Sequence, residues 1–124
     1  MDRGTTGKRG EDIACQYLIE NGHIILARNW RSGREELDIV SLASDGLHFV
    51  EVKTRTAPAA APPQDQVDFR KQRHLAAAAR RFLRNRDGRT FASLEIFFDI
   101  VAVTLDGSSA GIDYFPAAFI PIYT

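Results

Sequence analysis

Residues 36–54, ELDIVSLASDGLHFVEVKT, decide the fold. Two runs rich in Ile, Val, Leu and Phe flank Asp45-Gly46, the strongest short hairpin signal, because both positions of such a loop need positive φ. If that pair makes the turn, Ser44 faces Leu47, Val40 faces Glu51 and Asp38 faces Lys53. Strand side chains alternate between faces, so Asp38, Glu51 and Lys53 project from the same one. A longer loop over 44–47 keeps that parity, whereas one with an odd number of residues destroys it. The adjacent pairs Ile39-Val40 and Phe49-Val50 break simple alternation and predict strands covered on both faces.

Working outward, residues 5–21 read as a helix. Thr5 or Thr6 can cap it, Gly22 follows it, and Ile13, Ala14, Tyr17 and Leu18 form its apolar stripe. Residues 23–30 and 36–43 read as strands, as do 47–54 beyond the turn. Three prolines within 57–63 forbid helix or central strand, so 55–65 is expected to be a mobile loop. A second helix is expected over 66–86, capped by Asp65 and packed through Val67, Leu75, Ala78, Ala79 and Phe82. Residues 94–105 form a further strand, and 111–116 return after Asp106-Gly107 as an edge strand. The order predicts an α/β sandwich, a mixed sheet flanked by helices.

Composition bounds the class. A chain of 124 residues suits one domain, 1–124, and 44% hydrophobic residues argue against wholesale disorder. Sixteen basic and sixteen acidic residues cancel, but between Lys53 and Arg89 ten basic residues face three acidic ones. Arg55, Lys71 and Arg73 belong to that run, which suits either a phosphate partner or a solvated helix face. The lone Cys15 lies in an apolar helical pattern and reads as packing in a reducing compartment. With no apolar run long enough to span a membrane and a polar start, a cytoplasmic location is expected.

Two carboxylates and one ammonium on an apolar sheet are costly, because burying each ion costs several kcal/mol even after relaxation. Asp38 and Lys53 can offset each other, which leaves the second carboxylate unpaired. A divalent cation resolves this, since Mg²⁺ takes one or two carboxylates and keeps several waters. Mg²⁺ or Mn²⁺ is therefore the expected cofactor, with Lys53 beside the attacking water or the charged transition state. The plain alternative is a structural ion pair.

The segments GKRGEDIA (7–14), LARNWR (26–31), EELDIV (35–40), FVEVKTR (49–55), KQRHLAAAA (71–79) and FDIVAV (98–103) resemble, in order, the YraN family. That family is similar to PD-(D/E)XK nucleases, which include Holliday-junction resolvases and restriction enzymes. The resemblance implies a restriction-endonuclease-like αβββαβ fold. It implies a metal set of Asp38, Glu51 and Glu11, with Lys53 completing the E-x-K pair and Lys71 contacting phosphate. It also implies a homodimer acting on branched DNA. Glu35 stands where the family pattern usually has Gly.

Other residues have plain readings. Glu11 also suits the first half of a helix by its dipole. His23, His48 and His74 lack metal-ligand spacing and read as surface or partly buried, with His48 pointing away from the acids. Trp30 reads as core. Arg28, Arg34 and Arg55 flank the strands as phosphate contacts, and Arg73 adds to the basic helix. Asp99, inside an apolar strand, needs a partner and reads as structural, bonded to the first helix or an arginine. The expected function is metal-dependent phosphodiester hydrolysis in nucleic acid, which the resemblance implies is DNA. The alternative is a non-catalytic nucleic-acid-binding module or a scaffold in DNA repair or uptake.

Overall fold

Apolar residues on both faces of the central strands require a cover on each side. The computed structural model describes residues 3–58 and 67–120, with the backbone alone for 3–5. The chain runs α1 (Arg3–Glu20), β1 (Ile24–Ser32), β2 (Glu35–Ala43), β3 (Gly46–Thr56), α2 (Phe69–Arg84), β4 (Ile96–Asp106) and β5 (Ser109–Phe115). A 3-10 turn, Arg89–Phe91, lies between α2 and β4. The five strands form one sheet in chain order. Short links make β1, β2 and β3 an antiparallel meander, and the crossover through α2 returns β4 parallel to β3. β5 closes the edge antiparallel to β4. The expected αβββαβ order is the order observed, with the edge strand added.

The two faces have separate cores. Leu37, Val40, Phe49 and Ile100 pack with Leu75 and Phe82 of α2. Ile39, Val50 and Val101 pack with Ala14, Cys15 and Leu18 of α1. Phe82 meets Trp30 and Phe49 edge to face, and burying a side chain of that size is worth about 1.5–3 kcal/mol. Gly10 lets α1 lie close on β3, because a Cβ there would stand 1.8 Å from Thr54 Oγ1.

Several boundaries differ from the sequence reading. α1 begins at Arg3, ahead of Thr5 and Thr6. α2 begins at Phe69 and is capped by Asp68, whose Oδ1 accepts the Lys71 backbone N–H at 3.0 Å. Asp65 lies outside the described residues, as do the rest of 59–65 of the expected loop and residue 66 of the expected helix, and Arg55 and Thr56 instead extend β3.

The hairpin register also differs. Ala43 pairs with Gly46 and Leu42 with Leu47, so Ser44 and Asp45 make the turn. Gly46 sits in the strand at φ 147°, where a Cβ would stand 2.3 Å from the Glu95 carbonyl oxygen. The Leu47 N–H donates to that same oxygen at 2.8 Å. The glycine therefore answers both its own positive φ, just past the turn, and the approach of the segment entering β4. The slip is two residues, so parity survives, but Asp38 no longer faces Lys53. Continuing the observed register places it across from Glu51.

Asp99 is fully buried, and among the described residues its side-chain bonds come from neither α1 nor an arginine. It is bonded by His48 Nδ1 at 2.6 Å, by the Tyr114 hydroxyl at 2.6 Å and by the Ala117 N–H at 2.8 Å. His48 is buried, against the expectation of a surface or partly buried ring, and its Nε2 reaches Asp45 at 2.7 Å. Beside it, His23 Nδ1 meets the buried Ser41 hydroxyl at 2.8 Å. Burial pulls His48 toward its neutral form, but the bonds to Asp99 and Asp45 outweigh it and leave its pKa raised. Burial and the neighbouring His48 lower that of His23, so His48 is the ring that keeps the proton.

Candidate active site

The site begins where two strands part. The β2–β3 ladder ends at Ile39 and Val50, although β2 reaches back to Glu35 and β3 runs on to Thr56. At the same level β1 contains Asn29 with φ 50°, a left-handed conformation that Asn tolerates better than most residues. Regular alternation fails there. Leu37 and Ile39, two apart, fall into opposite cores, and so Asp38 lies at a break in the pleat. Its Oδ2 turns to β3 and accepts the Val52 N–H at 2.9 Å, a donor that no β2 carbonyl takes.

Glu51 is buried, only 5% exposed, and lies within hydrogen-bond range of Asp38. Burial, followed by the Glu51 charge, pushes the Asp38 pKa up to about 7. Two carboxylates this close cannot both ionise cheaply, and a shared proton is the cost-reducing solution. Two amines approach the same Glu51 Oε1, Lys71 from α2 at 3.4 Å and Lys53 from β3 at 3.9 Å. Lys71 is held by helix packing, with Asp68 fixing its backbone. The structure thus brings together Asp38, Glu51, Lys53 and Lys71.

Glu11 stands apart from them. Its Oε1 is out of water and without a hydrogen bond, and the nearest cation is Arg28 at 3.9 Å. Arg28 itself binds Asp12 at 2.7 Å. Glu11 lines a separate groove of about 370 Å³ with Lys8, Arg28, Asn29 and Glu36. Among the described residues no three of His, Cys, Asp and Glu form a metal-holding group. Two carboxylates suit a cation that retains waters, and the frustrated pair of acids is the donor set present.

The arginines divide. Arg34 lines a groove of about 250 Å³ with Glu35, Glu36, Lys71, His74 and Leu75. Arg55 follows Lys53 by two residues, and its Nε donates to Thr104 Oγ1 at 3.0 Å. Arg73 is exposed on α2, about 200° around the helix from Lys71, and so lies off the groove. Sequence reasoning missed the pairing of Glu35 with His74 across that groove. The residues lie on different elements, and no spacing rule links them. The one signal was Glu35 standing in place of a family glycine.

Comparison with known proteins places the chain. The family model described as "Uncharacterised protein family UPF0102" matches residues 10–103. A UPF0102 protein of Nitratidesulfovibrio vulgaris is 41% identical over 117 residues, covering 94% of this chain and 85% of its own. One from Porphyromonas gingivalis is 40% identical over 121 residues, covering 95% and 86%. One from Syntrophotalea carbinolica is 42% identical over 117 residues, covering 94% and 93%. Among solved structures, "The structure of Pyrococcus Furiosus SfsA in complex with Ca2+" matches at TM-score 0.38 and 18% identity. It covers 93% of this chain but 64% of that one, less than two thirds, and the likeness is too distant to argue from. With the match running through α1, the hairpin and β4 up to Val103, this chain belongs to the UPF0102 family, the family of the YraN proteins.

Proposed function

We propose that this domain hydrolyses phosphodiester bonds of nucleic acid with the help of Mg²⁺ or Mn²⁺. The observation that carries the reading is the close couple of buried acids, which the two amines on Glu51 only partly offset. Asp38 and Glu51 are held together at a broken strand pairing, with Asp38 pushed up to about 7. A fold under no other demand replaces such a couple by apolar residues at no loss. Asp38 and Glu51 are the residues that would hold the cation. When bound, it supplies charge to the phosphoryl oxygens and a more acidic water.

The chain's own groups do the rest. Asp38 is aimed by the Val52 N–H, and Glu51 by the two amines that reach it. Lys53 orients the attacking water and offsets the charge that develops at phosphorus. Lys71, partly exposed at the start of α2, binds a non-bridging phosphate oxygen. Arg34 and Arg55 extend the contact to neighbouring phosphates, which makes binding salt-dependent. Glu11 acts from its own groove as an outer support. Branched DNA is the substrate to test first, and the alternative is a module that grips nucleic acid without cutting.

The test is cleavage of labelled junction, flap and linear DNA under Mn²⁺ titration. The wild type is expected to cut, and Glu51→Ala to lose about 10³-fold in rate. Tight, salt-sensitive binding without cutting favours the binding module. Absence of both favours the scaffold.

A further inference from the structure

The groove beside Lys71 contains an imidazole with a carboxylate behind it. His74 follows Lys71 by three residues on α2, the spacing that stacks side chains on one helix face. Glu35 precedes Asp38 by three residues on β2. His74 Nδ1 lies 3.6 Å from Glu35 Oε2. That oxygen is shielded from water and has no hydrogen bond, while the His74 side chain is 58% exposed. A shielded carboxylate oxygen without a donor is costly, and the nearby ring N–H is the donor that can relieve it. With Nδ1 turned to Glu35, Nε2 is the nitrogen left for the groove, which Arg34, Glu36 and Lys71 also line. Glu36 is engaged by Arg31 at 3.5 Å. The other charged groups near the ring on α2 are Arg70, one turn back, and Arg73 beside it, both exposed.

From this geometry we infer that His74, oriented by Glu35, is the general acid of the hydrolysis, a role that rests on the function proposed above. The water oxygen forms a bond to phosphorus and releases its proton to solvent. The bond from phosphorus to the leaving oxygen breaks, and its electron pair takes the proton from His74 Nε2. The ring, now neutral, keeps its Nδ1–H toward Glu35 and regains the other proton from water. Glu35 is a positioning residue, since it touches the imidazole and not the substrate.

The experiment uses the full chain with Mn²⁺ on two substrates. One is labelled junction DNA, whose leaving alkoxide needs a proton. The other is thymidine 5′-(p-nitrophenyl) phosphate, whose leaving phenolate does not. His74→Gln is expected to lower kcat on DNA by about 10²-fold with KM unchanged, because general acids contribute about 10²–10⁴-fold. The same variant keeps its rate on the nitrophenyl ester. Glu35→Gln gives a smaller kcat loss on DNA alone. Equal losses on both substrates, a change only in KM and salt slope, or no change overturns the assignment. A wild type that turns over neither substrate overturns the hydrolase reading itself, and this one with it. Wild-type turnover lost in Glu51→Ala but indifferent to His74 overturns this one alone.

Discussion

The two faces of the sheet each bury acid, and they treat it in opposite ways. On the α1 face, Asp99 receives His48, Tyr114 and a backbone N–H, so each of its oxygens has a donor. On the α2 face, Asp38 receives one backbone N–H and otherwise meets a second carboxylate. The first is a finished network that fixes β3, β4 and β5 together. The second is unfinished at neutral pH, because its lowest-cost state without a cation retains a proton. A satisfied buried acid signals structure, and two acids crowded at a broken ladder, with one pKa raised to about 7, suit a place for something to bind.

Breaking the finished network should cost most. Asp99→Ala leaves a raised-pKa His48 and the Tyr114 hydroxyl without their partner, and should lower stability by about 3–5 kcal/mol. Denaturant unfolding measures it, and Mn²⁺ should leave the deficit unchanged. A loss under 1 kcal/mol would erase the contrast between the faces.

Asp38→Asn should act in the other direction. The folded pKa of Asp38 is raised above the ordinary 3.8 to about 7, so the folded state binds more protons between those values. Stability from this group is full below the unfolded pKa and falls as pH rises through about 7. The variant should therefore be more stable than wild type at pH 8, by at most about 4 kcal/mol, and gain nothing at pH 4. Thermal melts across pH 4–8 in chelator test this, and a variant less stable at pH 8 would mean that the ionised pair is already compensated.

His48 sharpens the same experiment. Its pKa is raised too, so its contribution is complete below about 6.5 and lost as pH rises through the folded value. That loss should persist in Asp38→Asn and under Mn²⁺, because it belongs to the other face. Tyr114→Phe should cost least, about 1 kcal/mol for one hydrogen bond to Asp99, and shift no metal-dependent property.

Much of this was legible in the sequence because it rests on local periodicity. The parity of Asp38, Glu51 and Lys53 survived a wrong turn, since a slip of two residues leaves every face unchanged. Ile39-Val40 and Phe49-Val50 announced a sheet covered on both sides, and each pair does divide between the cores. What failed depends on distant chain. Gly46 reads as a turn glycine, yet the carbonyl of Glu95 demands it as well. Asp99 was recognised as needing partners, but its partners come from β3, from β5 and from just beyond it. The pairing of Glu35 with His74 joins β2 to α2, and the Val52 N–H turns to Asp38 where the β2–β3 ladder ends. Neither residue type nor spacing encodes those meetings.

The central claim is that Asp38 and Glu51 form a cation site that holds a proton in the cation's place. Calorimetric titration of Mn²⁺ in two buffers of different ionisation enthalpy tests it directly, because binding to a protonated ligand releases the proton. Mn²⁺ binding should release close to one proton at pH 6 and almost none at pH 8, and should be lost in Asp38→Asn. Binding with no proton release at pH 6, or with equal strength in Asp38→Asn, would contradict it.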